Sequence, residues 1–173
     1  MNLNSFKKYC NIHMFNTIYD YFYKKKDYNT LHNTLNNEYY LLSLIKHYSN
    51  DSEIKYSIHG LWPQYEPVKS GKAGKKNPEF CKEVEFSLKA LDLIIDELNQ
   101  NWYSDTKIDN ATFWEHEYKK HGSCMFKEMT ELEYFSKTLE LFEEAIKRGL
   151  PDKHKSNNLS RVLIPVNLDF TFI

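Results

Sequence analysis

The stretch IKYSIHGLWPQ, at residues 54–64, contains a clear strand pattern followed by an unusual combination of residues. Apolar side chains alternate with polar ones from Ile54 to Ile58, and this alternation is typical of a half-buried strand. His59 is the last residue on the polar face, and we expect Gly60 to end the strand. A histidine at the end of a polar strand face is available for chemistry, and it is a candidate functional residue.

Further elements are predicted on both sides of this strand. Upstream, Tyr39–Ile45 (YYLLSLI) is short and apolar, which indicates a buried strand. Downstream, an apolar stripe at helical spacing predicts an amphipathic helix over Glu83–Leu98. The tail at residues 162–173 is predicted to contain one strand at most.

Two more helices are predicted from their capping residues. Thr112 and Glu115 have the spacing of a capping box, and Gly122 is a natural residue to end the helix that they begin. Thr130 and Glu133 repeat the box ahead of an apolar stripe that Gly149 and Pro151 close. Glu115 is explained by its capping position, and we assign it no chemistry.

Composition limits the class of protein. The chain has 173 residues, 41% of them hydrophobic, which fits one domain with a packed core. Its formal net charge of -1 argues against a protein that holds nucleic acid by bulk positive charge, but not against an enzyme that contacts RNA at a small site. No apolar run has the length of a membrane span. The first residues show no signal-peptide pattern, so either the chain is not secreted by the usual route or a leader was removed, and the compartment stays open.

Residues 112–121 bring several reactive side chains together on one predicted helix. Glu117 lies one turn from both Lys120 and His121, so a carboxylate, an ammonium and an imidazole share a face. His116 and His121 are separated by about 140° around the helix, since each residue turns it by about 100°. The spacing H-E-x-x-x-H therefore does not suit the single zinc ion that H-E-x-x-H binds, and we expect no metal and no cofactor.

Cysteine usage leaves two possibilities. The chain has three cysteines, Cys10, Cys81 and Cys124, which fits either one disulfide and one free thiol or three free thiols. The absence of a C-x-x-C pair argues against a zinc knuckle or a redox motif.

Two segments, SIHGLWPQ at residues 57–64 and FWEHEYKKHGSC at residues 113–124, resemble the two active-site motifs of the ribonuclease T2 family. The resemblance runs from about Tyr39 to Leu150, with a divergent N-terminus and a shortened C-terminus. It implies that His121 is the general base and His59 the general acid, although the pair is better supported than the order. It also implies the further roles of five residues and a disulfide: Glu117 and Lys120 stabilise the pentacoordinate phosphorane, His116 binds phosphate, Trp62 and Phe113 bind bases, and Cys81 pairs with Cys124.

The elements and the resemblance together predict one α+β domain, a small antiparallel sheet with helices packed on it. Residues 1–37 would form a divergent arm or helix, and residues 38–173 the catalytic domain. The expected function is metal-independent cleavage of single-stranded RNA through a 2′,3′-cyclic phosphate, with RNA as the partner and neither DNA nor a membrane.

Two non-enzymatic alternatives remain open. The first is a catalytically impaired RNA-binding or decoy protein of the same fold, and the second is a structural protein that binds a partner through its Tyr-rich N-terminus. For the enzyme, we expect a bell-shaped pH profile with a mildly acidic optimum, because one imidazole must be neutral and the other charged. Glu117 and the negative end of the helix dipole are expected to raise the pKa of His121.

Overall fold

The computed structural model describes residues 38–48, 54–65, 77–154 and 160–173. Among these residues, three antiparallel strands form one sheet in the order β2–β1–β3, and four α-helices complete the domain. The strands are β1 (Glu38–Tyr48), β2 (Ile54–Tyr65) and β3 (Arg161–Val166). The helices are α1 (Ile95–Asn101), α2 (Asn110–Lys120), α3 (Glu131–Lys147) and α4 (Leu150–Lys153). The predicted α+β class is confirmed, whereas the predicted arm at residues 1–37, which includes Cys10, lies outside the described residues.

Strand β1 is the centre of the sheet, and it is buried as its apolar sequence predicted. Tyr40, Leu42 and Leu44 are fully buried in the same core as aromatic side chains of α2 and α3. Ser43 and Ile45, on the opposite face, are buried as well. A strand with a neighbour on each side and cover on both faces needs apolar residues at nearly every position, and the run YYLLSLI supplies them.

Strand β2 was predicted to end at Gly60, but it continues to Tyr65 after a β-bulge. Ser43 pairs with Gly60 and Leu44 with Ile58, so His59 is an extra residue without a partner on β1. The bulge changes the side-chain alternation, and both Ile58 and Leu61 are therefore fully buried. β2 is an edge strand in the described sheet, which explains why it accommodates a proline.

The predicted helix over Glu83–Leu98 is wrong in its first half. Val84 and Phe86 are half-buried between exposed neighbours, which is the two-residue period of an extended chain. A 3-10 turn follows at Leu88–Leu91, and α1 begins only at Ile95. Long-range contacts override the helical spacing here, because the Ser87 N–H donates to the Glu131 carboxylate.

The helix that carries the second motif begins earlier than predicted. Asp109, not Thr112, is the N-cap of α2, and its carboxylate accepts the Thr112 N–H at 2.9 Å. Glu115 pairs instead with Lys119. Gly122 does not end the helix with a left-handed residue, since a 3-10 turn continues directly from His121 over Gly122–Cys124.

The capping box of α3 is confirmed. Thr130 accepts the Glu133 N–H, and the Glu133 carboxylate accepts the Thr130 N–H in return. Gly149, which follows the end of this helix, has a φ of 62°, a left-handed conformation that glycine adopts readily. None of the described helices has the length and apolar character of a membrane span.

Candidate functional site

One cavity of about 520 Å³ lies where the edge of β2 faces α2, within the size range of small-molecule sites. Its walls include all seven of the residues that were predicted to act in catalysis, phosphate binding or base binding. They are His59, Trp62, Phe113, His116, Glu117, Lys120 and His121. Trp62 of the first motif and Glu117 of the second are 55 positions apart in sequence, and the packing of β2 against α2 brings them together.

The β-bulge positions His59, and two buried aromatic residues hold the backbone around it. The Trp102 indole N–H donates to the His59 carbonyl at 3.0 Å. The Tyr134 hydroxyl donates to the Leu61 carbonyl at 3.2 Å. Trp102 was not singled out from the sequence, and its role depends on tertiary contact with a residue 43 positions away. The backbone of His59 is therefore fixed by the core although the sheet leaves it unpaired.

The carboxylate of Glu117 joins the two motifs. Its Oε1 lies 3.5 Å from His59 Nε2, and its Oε2 accepts the Trp62 indole N–H at 2.9 Å. Burial acts to raise the pKa of Glu117, but the hydrogen bond and charge of His59, together with His121 and Trp62, outweigh it and lower that pKa. Glu117 is thus a buried anion that touches both His59 and Trp62.

His121 is the buried histidine of the site. It directly follows α2, its side chain packs beneath the Trp62 ring, and the residue is 6% exposed. Burial lowers the pKa of His121 to about 4 and outweighs the raising effect of the Glu117 carboxylate. Glu117 raises this pKa, as expected, but the expectation of a net rise is wrong, because local spacing does not reveal how completely the imidazole is desolvated.

Aromatic rings set the orientation of both imidazoles. Trp62 lies 5.3 Å from the His59 ring and 5.2 Å from the His121 ring, centroid to centroid. Phe113 meets the His59 ring edge-on at 5.4 Å. The Nδ1 atoms of both histidines are buried and have no hydrogen-bond partner among the described residues. Among the described residues, ring packing rather than a hydrogen bond therefore holds the Nδ1 side of each imidazole.

Lys120 and His116 lie on the outer part of the α2 wall. The Lys120 ammonium is 3.4 Å from the Glu79 carboxylate, which also borders the cavity. His116 is exposed and contacts the Phe80 ring edge-on at 6.1 Å. Glu79 was not predicted, because this residue lies outside both motifs and reaches the site only because its segment crosses the end of α2.

A disulfide holds that segment in place. Cys81 and Cys124 are bonded, as the family resemblance implied. The Phe80 N–H also donates to the Lys120 carbonyl at 2.9 Å. The disulfide and the hydrogen bond fix residues 79–81 against the end of α2, directly beside His121.

The third strand contributes to the site although no motif pointed to it. Arg161 and Leu163 of β3 border the cavity, and the Arg161 guanidinium lies over the Trp62 ring at 5.9 Å. No group of three or more His, Cys, Asp or Glu side chains suited to a metal ion occurs among residues 38–48, 54–65, 77–154 and 160–173.

Comparisons with a family model and with individual proteins indicate the same family. The model of the Ribonuclease T2 family matches residues 19–154. The chain is 34% identical to ribonuclease Oy of Magallana gigas over 121 residues, which are 66% of this chain and 47% of that protein. It is 33% identical to ribonuclease DdI of Dictyostelium discoideum over 97 residues, covering 55% of this chain and 40% of that protein. The chain thus matches less than half of the length of these relatives.

Solved structures agree with the fold. A mutant of ribonuclease MC1, crystallised in complex with 5′-GMP, superposes with a TM-score of 0.58 at 20% identity and covers 79% of this chain and 92% of its own. At that identity the likeness concerns the fold alone.

Proposed function

The chain belongs to the ribonuclease T2 family, and from this premise we propose that it is an endoribonuclease that cleaves single-stranded RNA without a metal. The observation that supports the proposal best is the arrangement of His59 and His121, which border one cavity and contact the same Trp62 ring. Two imidazoles with different surroundings suit a reaction that needs one base and one acid.

The proposed step uses the 2′-hydroxyl of the RNA as its nucleophile. The base takes the proton from the 2′-oxygen, which attacks the adjacent phosphorus and forms a new P–O bond. The bond from phosphorus to the 5′-oxygen of the next nucleotide breaks, and the acid gives a proton to that leaving oxygen. The products are a 2′,3′-cyclic phosphate and a free 5′-hydroxyl, and no oxidant or reductant is needed.

We assign His121 as the base and His59 as the acid. A buried imidazole whose pKa is about 4 is neutral at mildly acidic pH and can accept a proton. His59 is the more exposed of the two imidazoles, and its Nε2 lies 3.5 Å from the Glu117 carboxylate, which can hold the ring in place for proton transfer to the leaving oxygen. Glu117 therefore supports the reaction through His59, in addition to the role at the phosphorane that the family resemblance implies.

The remaining residues bind the substrate. Lys120 and His116 supply positive charge for the phosphoryl oxygens, where negative charge develops in the transition state. When RNA enters, the Lys120 ammonium must leave the Glu79 carboxylate and contact a phosphate instead. Trp62 and Phe113 offer aromatic surfaces to bases, which stack on such rings with little dependence on sequence.

The test is cleavage of single-stranded RNA by the purified chain in the presence of a chelator. We expect cyclic phosphate products, no cleavage of DNA of the same sequence, and a loss of about 10²–10⁴-fold in rate for His59→Ala or His121→Ala. His154→Ala is the matched control, because His154 does not border the cavity.

Three results would contradict the proposal: full inhibition by the chelator, equal cleavage of DNA, or near-normal turnover by His59→Ala. Binding of RNA without cleavage would instead indicate the catalytically impaired RNA-binding protein that the sequence left open.

A further inference from the structure

We propose that Arg161 binds a phosphate of the RNA strand that flanks the scissile phosphate. The inference rests on the proposed endoribonuclease function, and it extends the substrate site to a strand that neither motif contains.

The position of Arg161 is set by the alternation of β3. Val162 and Ile164 are buried in the core, so Arg161 and Leu163 lie on the opposite face, where both border the cavity. Arg161 lies beyond the family match, which ends at residue 154. Its guanidinium lies over the ring of Trp62, which itself contacts both histidines.

The charges of the cavity leave Arg161 available for a phosphate. Its walls hold the carboxylates of Glu79, Asp105 and Glu117, and Lys120 is paired with Glu79. Arg161 forms no ion pair with any residue in the described part of the chain. A guanidinium stays charged at all working pH values and can donate two parallel hydrogen bonds to one phosphate.

Sheet geometry favours a flanking phosphate over the scissile one. β1 lies between β2 and β3, so the backbones of His59 and Arg161 are at least about 10 Å apart at the usual strand spacing. In the register of the sheet, Arg161 pairs with Ile45 of β1, and Ile45 pairs with Ser57 of β2, two residues before His59. The scissile phosphate must lie within reach of both imidazoles, whereas the guanidinium lies over the Trp62 ring at 5.9 Å, and this position suits the next phosphate of the strand.

The first test compares a tetranucleotide with a dinucleoside monophosphate, whose only phosphate is the scissile one. In Arg161→Gln, we expect kcat/KM for the tetranucleotide to fall about tenfold more than kcat/KM for the dinucleoside monophosphate. A factor of about ten corresponds to the loss of one hydrogen bond to a charged group. Arg148→Gln is the matched control, because Arg148 is the only other arginine of the chain and pairs with Glu144 away from the cavity. An equal loss for both substrates would overturn the proposal.

The second test measures binding of a 2′-O-methylated oligonucleotide, which lacks the nucleophile and is not cleaved. Removing one phosphate contact should weaken binding in Arg161→Gln and make the slope of log K against log salt shallower by about 0.7. Arg161→Lys should retain most of the slope, because it keeps the charge. If Arg161→Gln binds with the wild-type slope, or if Arg161→Lys behaves like Arg161→Gln, Arg161 acts by stacking on a base and the proposal is wrong.

The two proposals fail separately. A wild-type chain that does not cleave RNA, but whose binding slope depends on Arg161, would contradict the endoribonuclease and support the phosphate site. A chain that cleaves RNA with no dependence on Arg161 in either test would support the endoribonuclease and contradict the phosphate site.

Discussion

At the scale of single residues, two histidines of the same site have different surroundings. His121 is packed beneath Trp62 and loses contact with water, whereas His59 has the Glu117 carboxylate 3.5 Å from its Nε2. Desolvation disfavours the charged form of the His121 imidazole. The burial of His121 supports its proposed role as the base.

The buried imidazole also has a measurable effect on stability. Unfolded, His121 takes up a proton as the pH falls through about 6.5, whereas in the folded chain its pKa is about 4. The folded chain therefore loses stability at this site as the pH falls from about 6.5 to 4, by about 3 kcal/mol in total. We expect the unfolding free energy of the wild type, measured by urea titration at pH 7 and pH 4, to fall by more than that of His121→Gln.

The charged groups around His121 that enter this comparison are Glu117, Lys120, Glu79 and His116, and all of them remain in the variant. His154→Gln is the control and should follow the wild type. If His121→Gln and the wild type lose stability equally between the two pH values, the imidazole is not held neutral by burial.

At the scale of elements, the β-bulge of β2 is the feature that builds the site. It inserts His59 without a partner, and it returns Leu61 to the core after the insertion. Gly60 is required at this point because a Cβ would overlap the Glu117 carboxylate and lie 2.6 Å from the Trp62 indole nitrogen. The bulge, Trp62 and Glu117 therefore fit together only if residue 60 has no side chain.

Gly60→Ala should consequently damage the site more than the fold. We expect the methyl group to displace the Glu117 carboxylate and break its hydrogen bond with Trp62, with a loss in kcat of up to about 10²-fold. Gly149→Ala is the opposite control, since it places alanine in a left-handed conformation with nothing within 4 Å. It should cost about 1 kcal/mol of stability and leave kcat unchanged. Normal turnover by Gly60→Ala, measured beside its melting temperature, would show that the carboxylate position does not matter.

At the scale of the whole molecule, the Cys81–Cys124 disulfide ties the segment after β2 to the end of α2 across 43 residues. By the chain-entropy estimate, closing a loop of this size stabilises the fold by about 4 kcal/mol. The double variant Cys81→Ser/Cys124→Ser should lose an unfolding free energy of this order, measured by denaturant titration. Cys10→Ser is the matched control, because it replaces a cysteine that is not part of the bond between Cys81 and Cys124. Equal stability of the double variant and the control would contradict a structural role for the bond.

The sequence by itself determined the candidate residues of the site and the class of the fold. His116, Glu117, Lys120 and His121 lie within one helical segment, so their relation depends on local geometry that the spacing already contains. The capping box of Thr130 and Glu133 was predictable for the same reason, since both partners lie within one turn. The short apolar run of β1 likewise predicted a buried strand, and the resemblance of the two motifs predicted the T2 fold around it.

Tertiary structure decided what depends on distant partners. The bulge at His59 exists only relative to β1, and the extended segment around Val84 follows from contacts with residues more than 40 positions away. The net pKa shift of His121 depends on burial beneath Trp62, and Arg161 reaches the cavity only because β3 pairs with β1. Burial and strand pairing are set by which parts of the chain pack together, and the local spacing of residues does not contain that information.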